Sequence, residues 1–420
     1  MFDIFSLKDF KMPDGFLWGA GYSGHQVEGN NKYSQCWKKE IDENYSEKSG
    51  LACNSYEMYM TDVDLIGNLG LQAFRTSVEW SRIEPSEGTF SEAAAEHYVS
   101  FFSTLKERGV KVFATLVHFS HPQWFEEKGH FKKIENLKYF ERYLNFIVPK
   151  IAPYVDFWNV FNEFNLGTSD DEVCLKLSSL RFHALGYHII KKYSDSPVSS
   201  AHALVQYMPK RPFDRFDSGV ADYIDLCDNE FFFHAIRTGE IVYPGRDGEY
   251  VPELKNSVDY WAVNSYVRTM IDAREKTAVG SRFSFSKMKM IADDFYLEEI
   301  NPECIVNNLS RLIDKPVYIT ENGCSCDNDD IRIAFISVYL AAVRECIDLG
   351  CDVRGFLYWS LLDNYEWYSY RPRFGLYSVD RKTFVRTPKN SAGFYSEIIK
   401  NNGVSQSIIR KYLKENPTLK

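Results

Sequence analysis

Short apolar runs of the kind found in buried β-strands recur along this chain, with enough residues between them for a helix. The candidate strands begin near Phe16, Leu71, Val110, Phe157, Val198, Tyr260, Val317 and Gly355. Most of the runs are almost continuously apolar, which is typical of strands buried on both faces of a parallel sheet. Strands that alternate with helices predict a parallel sheet, and eight such units predict a closed (β/α)8 TIM barrel.

The segments between the strands have the spacing of helices. Apolar residues recur every three or four positions from Tyr56 to Leu69, between a cap candidate, Asn54, and a terminator, Gly70. The longest apolar stretch, residues 333–343, is too short to span a bilayer, and we predict a buried helix there. No internal repeat, flexible linker or low-complexity tract divides the 420 residues, so we expect one single-domain barrel over residues 1–420.

Composition limits the partners of this chain. Hydrophobic residues make up 45% of the sequence and aromatic residues 16%, so a large core is available and some aromatic rings are free to line a site. The net charge of −9 argues against nucleic acid or an anionic membrane as the main partner. We therefore expect a small neutral substrate. No heptad or exchanged arm indicates the oligomeric state, and a homo-oligomer stays open.

The cellular compartment is predicted from the N-terminus and the cysteines. The first fifteen residues carry charged side chains, among them Asp3, Lys8, Asp9 and Lys11, between the apolar ones, so they lack the apolar core of a secretory signal. Nine cysteines, an odd number, favour reduced thiols over a disulfide framework. We expect a cytoplasmic protein.

Two glutamates end apolar runs that are far apart in the sequence. Glu163 follows the run that begins at Phe157, and Glu321 ends the run before Gly323. Either acid alone is also typical of a helix cap or an ion pair. Together, in a barrel that gathers the C-terminal ends of its strands, they provide the two carboxyl groups that glycoside hydrolysis needs. One protonates the leaving oxygen, and the other attacks or stabilises the anomeric carbon.

Other polar and aromatic side chains also fall at the predicted strand ends, where a TIM barrel carries its chemistry. They are Arg75, His118, Asn162, Tyr266 and Trp359. Taken singly, such residues are more often ordinary core or loop residues, but their joint placement favours a site.

At this point the chain resembles the family 1 glycoside hydrolases, the retaining β-glucosidase and β-galactosidase type. The resemblance runs nearly from end to end and rests on motifs in the order of the family. These motifs lie at residues 16–20, 26–29, 74–77, 79–83, 162–163, 264–266, 319–323, 359–367 and 373–375. Several short motifs in one order are far more specific than any one of them.

The resemblance implies a role for each residue near the reacting bond. Glu163 would be the acid/base and Glu321 the nucleophile of a double displacement through a covalent glycosyl-enzyme. Arg75 and Tyr266 would favour the ionised form of Glu321, whereas Glu163, beside an anion, would be held protonated. Asn162 would hold the sugar 2-hydroxyl. For retention the two carboxyl groups should lie about 5–5.5 Å apart.

The resemblance also implies a binding site for the terminal non-reducing sugar. Gln26, His118, Glu366 and Trp367 would hold its hydroxyl groups, and Trp359 would form an apolar floor below the ring. Because Glu366 and Gln26 can hydrogen-bond either epimer at C4, the sequence predicts no preference among glucose, galactose and fucose. The aglycone is equally open.

No metal or organic cofactor is expected. The nine histidines show no H-E-x-x-H or comparable spacing, and the implied mechanism needs no metal. We interpret Cys324 and Cys326 as reduced loop thiols, because neither a second pair nor a histidine is near them in the sequence. His25 and His121 stand where the family pattern calls for no histidine, and we interpret both as loop residues.

The chain departs from the family at four positions that we expect to affect substrate choice more than chemistry. Phe164 stands where proline usually follows the acid/base, Phe119 and Ser120 replace the usual Trp-Asp, and Ser265 stands where an aromatic residue is common. The leaving-group side of the pocket is therefore the part that the sequence predicts least.

Two alternatives stay open beside the β-glycosidase. The first is a 6-phospho-β-glycosidase, against which Glu366 argues, because its carboxylate would repel a phosphate and that branch typically has serine there. The second is a catalytically inactive sugar-binding module, against which the presence of both Glu163 and Glu321 argues.

Overall fold

Eight parallel strands close into a barrel in the structure, a computed structural model that describes residues 3–167, 169–274 and 299–417. They are β1 (Leu17–Gly21), β2 (Ala73–Ser77), β3 (Lys111–Val117), β4 (Phe157–Asn162), β5 (Val198–Ala203), β6 (Trp261–Asn264), β7 (Val317–Asn322) and β8 (Val353–Trp359). Each strand pairs with the next one along the chain, and β8 pairs with β1. The predicted barrel is confirmed, and every strand begins within two residues of its predicted start.

Helices cover the outside of the barrel and shape its two ends. They are α1 (Gly24–Val27), α2 (Gln35–Asp42), α3 (Ser55–Leu69), α4 (Trp80–Ile83), α5 (Glu92–Glu107), α6 (Gln123–Glu127), α7 (Leu137–Ile151), α8 (Asp170–Tyr193), α9 (Arg215–Asp225), α10 (Phe231–Thr238), α11 (Glu303–Leu309), α12 (Asp329–Asp348), α13 (Asn390–Asn401) and α14 (Gln406–Tyr412). Short 3-10 turns lie at Ile4–Ser6, His130–Lys132, Ile134–Asn136, Ala152–Tyr154 and Pro252–Leu254, and a π-helical turn lies at Leu226–Glu230.

The helix signals of the sequence have clear structural counterparts. Helix α3 follows Asn54, whose side chain makes no capping hydrogen bond, and it ends at Gly70, whose φ of 73° lies in the left-handed region that glycine adopts without strain. The apolar stretch at residues 333–343 lies within α12, where most of its side chains are buried. In the described part of the chain, no helix is both long enough and apolar enough to cross a membrane.

Within the described residues, four two-stranded sheets that the sequence did not predict lie outside the barrel. They pair Phe10–Lys11 with Gly403–Val404, Gln206–Pro209 with Arg268–Ile271, Glu240–Ile241 with Glu249–Tyr250, and Tyr377–Val379 with Arg386–Pro388. The first ties the N-terminal segment to the C-terminal one, and the second extends the segments that follow β5 and β6.

A compact group of mostly apolar side chains fills the interior of the barrel, and we call it the barrel floor. Its members are Ala73, Phe113, Ala201, Tyr260, Ala262, Tyr318 and Leu357, all buried. The ring of Phe113 stacks on that of Phe157 at 4.2 Å between centroids. The Tyr260 hydroxyl donates a hydrogen bond to Asn159 Oδ1 at 3.0 Å, so the polar end of this ring is satisfied. Packing of this kind makes the barrel a solid core rather than a channel.

Candidate active site

A cavity of about 540 Å³ opens at the C-terminal end of the barrel strands. Eight of the ten predicted site residues line it: His118, Asn162, Glu163, Tyr266, Glu321, Trp359, Glu366 and Trp367. The other two, Arg75 and Gln26, are buried and contact lining residues. The structure therefore brings together every residue that the sequence predicted for the site.

Glu321 lies in β7 and is 5% exposed. Its Oε1 accepts a hydrogen bond from the Arg75 guanidinium, and its Oε2 accepts one from the Tyr266 hydroxyl at 2.8 Å. Both contacts favour the ionised carboxylate, as the sequence predicts. Burial outweighs them, however, and with the nearby charge of Glu163 it raises the pKa of Glu321 to about 7.

Close approach of two strands fixes the place of Glu321. A Cβ atom on Gly323 would lie 1.8 Å from the backbone carbonyl oxygen of Trp359, so only glycine fits after the end of β7. The carboxyl of Glu321 and the ring of Trp359 are thereby held beside each other in the cavity wall.

Glu163 follows β4 directly, with its backbone in the left-handed region at a φ of 50°. Its N–H donates to the Ala201 carbonyl oxygen at 2.7 Å, which holds this conformation. Its Oε1 accepts a hydrogen bond from Asn264 Nδ2 at 2.9 Å. A non-glycine residue in this region costs conformational energy, and such residues cluster at functional sites.

Two asparagines connect Glu163 to Glu321. Asn264 Nδ2 donates both to Glu163 and to Asn162 Oδ1, the latter at 2.9 Å. Asn162 Oδ1 also accepts from Arg75 Nη2 at 2.6 Å, and Arg75 in turn holds Glu321. Asn264 had no predicted role, although its position at the end of β6, within the 264–266 motif, was a signal that could have identified it.

Glu366 places a further carboxyl group in the wall of the same cavity, close to Glu321. Glu366 is 6% exposed, and its Oε2 accepts from Gln26 Nε2 at 3.0 Å and from Trp359 Nε1 at 3.4 Å. Burial, together with the charge of Glu321, raises the pKa of Glu366 to about 8.

His118 stands between two tryptophan rings. Its imidazole is nearly parallel to Trp359 and Trp367, at 5.8 and 6.1 Å between centroids. Burial and the charge of Arg75 hold its pKa well below the usual range, so the ring is neutral. Because Asn162 Nδ2 donates to His118 Nε2 at 3.2 Å, the ring proton is on Nδ1.

The structure corrects the interpretation of His25 and confirms that of His121 as a loop residue. His25 lies in α1 rather than in a loop, is 1% exposed, and stacks on Trp367 at 6.1 Å, with its Nε2 2.9 Å from Glu40. His121 is in a loop, but it is buried, with its Nε2 2.7 Å from Glu126 Oε2. Neither contact has a signal in the sequence, because Glu40 and Glu126 lie fifteen and five residues from their histidine partners, spacings that no helix or strand period marks.

The four departures from the family pattern have different surroundings. Phe119 lines the cavity and meets Trp367 edge to face at 5.1 Å. Ser120 Oγ donates to the buried Glu79. Phe164 packs on Phe232 at 5.5 Å, and Ser265 Oγ accepts from an asparagine at position 308 at 3.0 Å. The expected effect on substrate therefore rests mainly on Phe119, the member of this set that lines the cavity.

All nine cysteines fall within the described residues, and none forms a disulfide. Cys324 and Cys326 are buried thiols with their sulfur atoms 3.7 Å apart. This arrangement agrees with the reduced thiols that the sequence predicts.

Comparison with known proteins places this site in a family. The chain is 27% identical to a β-galactosidase of Pyrococcus woesei, over 96% of this chain and 99% of the relative. It is 28% identical to a 6-phospho-β-galactosidase of Leptotrichia buccalis, over 92% and 98%. Among solved structures, a β-glycosidase from Pyrococcus horikoshii superposes with a TM-score of 0.86 at 31% identity, covering 96% of this chain and 98% of that one.

The family model described as glycosyl hydrolase family 1 matches residues 8–173 and 178–404. This match covers most of the chain and includes every residue of the site described above. The chain belongs to glycosyl hydrolase family 1 and is an O-glycosyl hydrolase of the β-glycosidase type.

Proposed function

We propose that this β-glycosidase removes the terminal non-reducing sugar from small neutral β-glycosides, with Glu321 as nucleophile and Glu163 as acid/base. The observation that carries the proposal is the hydrogen-bonded connection of two buried glutamates through Asn264, Asn162 and Arg75. A retaining mechanism needs two carboxyl groups at one sugar-sized cavity, and in retaining enzymes these groups are about 5–5.5 Å apart.

In the first step, Glu163 gives its proton to the glycosidic oxygen while Glu321 attacks the anomeric carbon, so the bond to the leaving group breaks as the ester bond forms. The Arg75 and Tyr266 contacts orient the attacking carboxylate. Esterification removes the negative charge of Glu321 and leaves Glu163 as a carboxylate beside the ester. Glu163 then takes a proton from the water that cleaves the ester.

The cavity wall offers groups that suit a sugar. Glu366 and Gln26 form one hydrogen-bonded edge, and His118 has a proton on Nδ1. Trp359 supplies an apolar face for the C–H side of the ring. Asn162 takes the 2-hydroxyl in this proposal, a contact that strengthens as the transition state develops.

A 6-phospho-β-glycosidase is the second candidate, because several relatives have 6-phospho-β-galactosidase in their names. The charges of the cavity favour the neutral sugar. Arg75 is already bonded to Glu321 and Asn162. The lysines among the described lining residues are Lys39, which is exposed at the rim, and Lys132, which is 3.0 Å from an aspartate. A phosphate beside Glu366 would meet a further carboxyl group instead of a fixed cation.

A panel of 4-nitrophenyl β-glycosides tests the proposal. The panel contains the glucoside, galactoside, fucoside and 6-phosphogalactoside, and nitrophenol release gives kcat/KM for each. We expect the neutral members to be turned over with the higher kcat/KM, and Glu366→Ser to narrow the difference. A wild-type preference for the phosphorylated member would overturn the substrate assignment, and no turnover of any member would favour a binding module.

The unpaired thiols support a reducing compartment, and we propose the cytoplasm as the site of action. Eight of the nine cysteines are buried and Cys174 is exposed. Disulfides are rare in reducing compartments, which agrees with this state. Fractionation of the source cells with immunodetection of the chain tests this assignment.

A further inference from the structure

Three side chains with metal-binding chemistry, those of His121, Glu126 and His130, converge at the cavity, and the last two line its wall. Nε2 of His121 lies 2.7 Å from Glu126 Oε2, and Nε2 of His130 lies 3.9 Å from the same oxygen. One donor atom from each residue lies within 4.8 Å of the other two. The two imidazole rings are nearly parallel at 5.3 Å between centroids, so both present an edge to the carboxylate.

Two imidazoles and one carboxylate are a donor set that suits Zn²⁺ with an open coordination position. In a tetrahedral site with bonds of about 2.0–2.1 Å, neighbouring donor atoms are about 3.3 Å apart. The measured separations of 2.7 and 3.9 Å lie on either side of that value. Small side-chain movements would therefore bring His121, Glu126 and His130 to ligand geometry.

An ion pair between His121 and Glu126 explains only part of this arrangement. His130 is too far from Glu126 for a hydrogen bond, and Nδ1 of both histidines is buried without a hydrogen-bond partner. His130 also has a φ of 38°, in the left-handed region that favours glycine. The chain thus holds a second imidazole beside the same carboxylate, beyond hydrogen-bond distance and at a conformational cost.

The cluster is reached from the active site. Glu126 and His130 line the same cavity as Glu163 and Glu321. An ion held here would keep its remaining coordination position for water or another oxygen donor in the cavity.

We propose that His121, Glu126 and His130 form a binding site for one divalent transition metal ion of the Zn²⁺ class. The site lies in the wall of the active-site cavity and is separate from the two glutamates that carry out hydrolysis. The proposal does not depend on the neutral-glycoside assignment, because its readout is metal binding.

The test uses the full-length protein after chelator treatment and dialysis. Calorimetric titration with Zn²⁺ measures stoichiometry and Kd, and the visible absorption of bound Co²⁺ reports imidazole and carboxylate ligation. We expect one ion per chain, and binding at least about 100-fold weaker in His130→Gln and Glu126→Gln, since outer-shell partners alone contribute 10–100-fold. His188→Gln, which removes an exposed histidine elsewhere, should bind as the wild type does.

A second measurement separates loss of binding from loss of folding. Zn²⁺ should raise the melting temperature of the wild type and of His188→Gln but not that of His130→Gln. Absence of Zn²⁺ binding by the wild type at micromolar concentrations would overturn the proposal. It would also be overturned if both cluster variants bound normally and Cys36→Ser did not, because the ion would then be held by the cavity thiol.

Discussion

The barrel floor and the active-site residues lie on the same strands but are stabilised by different interactions. In β2, Ala73 belongs to the floor and Arg75 to the site; in β7, Tyr318 belongs to the floor and Glu321 to the site. Side chains of the floor are satisfied by packing on one another. Those of the site are buried carboxyl groups, a guanidinium and amides that depend on a few hydrogen bonds.

The difference shows where stability and activity are separated in this fold. Burial of apolar groups in the floor stabilises the barrel. Burial of Glu321 and Glu366 instead raises their pKa values to about 7 and about 8, which is an energetic cost of placing charge in a dry cavity. Changes in the site should therefore alter chemistry, and changes in the floor should alter unfolding.

Removal of the nucleophile should have the largest effect. Glu321→Gly should lower turnover of aryl β-glucosides by at least about 10⁴-fold, because no ester can form. Added azide should restore cleavage and give the α-glycosyl azide, since the small anion attacks from the face that the carboxylate used. Nitrophenol release and NMR of the product measure both. A β-configured product would show that Glu321 is not the nucleophile, and Glu415→Gly, at an exposed site, should behave as wild type.

Loss of the acid/base should depend on the leaving group. Glu163→Ala should slow glycosides with poor alkyl leaving groups by about 10²–10⁴-fold, and activated nitrophenyl glycosides much less, because only the former need protonation. Steady-state kinetics on both classes measure the contrast. The exposed Glu127 provides the control as Glu127→Ala. An equal loss for both classes would contradict the assignment of Glu163.

A cavity in the barrel floor should affect folding and spare chemistry. Phe113→Ala should lower the free energy of unfolding by about 3–5 kcal/mol, because Phe113 is buried and stacked on Phe157. Urea unfolding measures this change, and Phe213→Ala, at a fully exposed phenylalanine, should stay within about 0.5 kcal/mol of wild type. A large change in KM of the folded variant would show that floor and site are not separate.

The sequence predicts the strands well because both faces of each one are buried. Such strands read as apolar runs, and the polar residue that ends each run then marks the site. This is why Glu163 and Glu321 could be found from the sequence. Motif order supplied the rest, including Gln26 and Glu366, which lie outside the strands.

Strand bulges and side-chain partners could not be predicted in this way. Tyr318 and Glu321 are three positions apart in the sequence. In a regular strand, side chains an odd number of positions apart point to opposite faces, and yet both of these face the barrel interior. A register shift between Ile319 and Asn322 re-aims the acid. The hydrogen-bond partners of Asn264 come from two other strands. The contact of His130 with Glu126 depends on the short 3-10 turn at His130–Lys132. Neither contact produces a repeating pattern in the sequence from which it could be predicted.

The smallest predicted effect concerns the pH profile. Glu321 reacts only as the carboxylate, so kcat/KM of the wild type should fall as the pH drops below about 7. The Tyr266 hydroxyl bonds to the ionised form and lowers this pKa. Tyr266→Phe should therefore shift the acidic limb of the profile, the pH range in which kcat/KM falls, to higher pH by about one unit. One pH unit corresponds to about the free energy of one hydrogen bond to a charged group.

The position of the limb, and not the height of the profile, distinguishes this effect from a general loss of activity. Tyr250→Phe removes an exposed hydroxyl and should leave the limb in place. A limb that stays unchanged in Tyr266→Phe would mean that Arg75 and burial alone set the pKa of Glu321. In that case the hydrogen bond from Tyr266 would serve only to orient the carboxylate. The polar interaction that stabilises the ionised form of Glu321, and so distinguishes the site from the apolar barrel floor, would then be the contact with the Arg75 guanidinium.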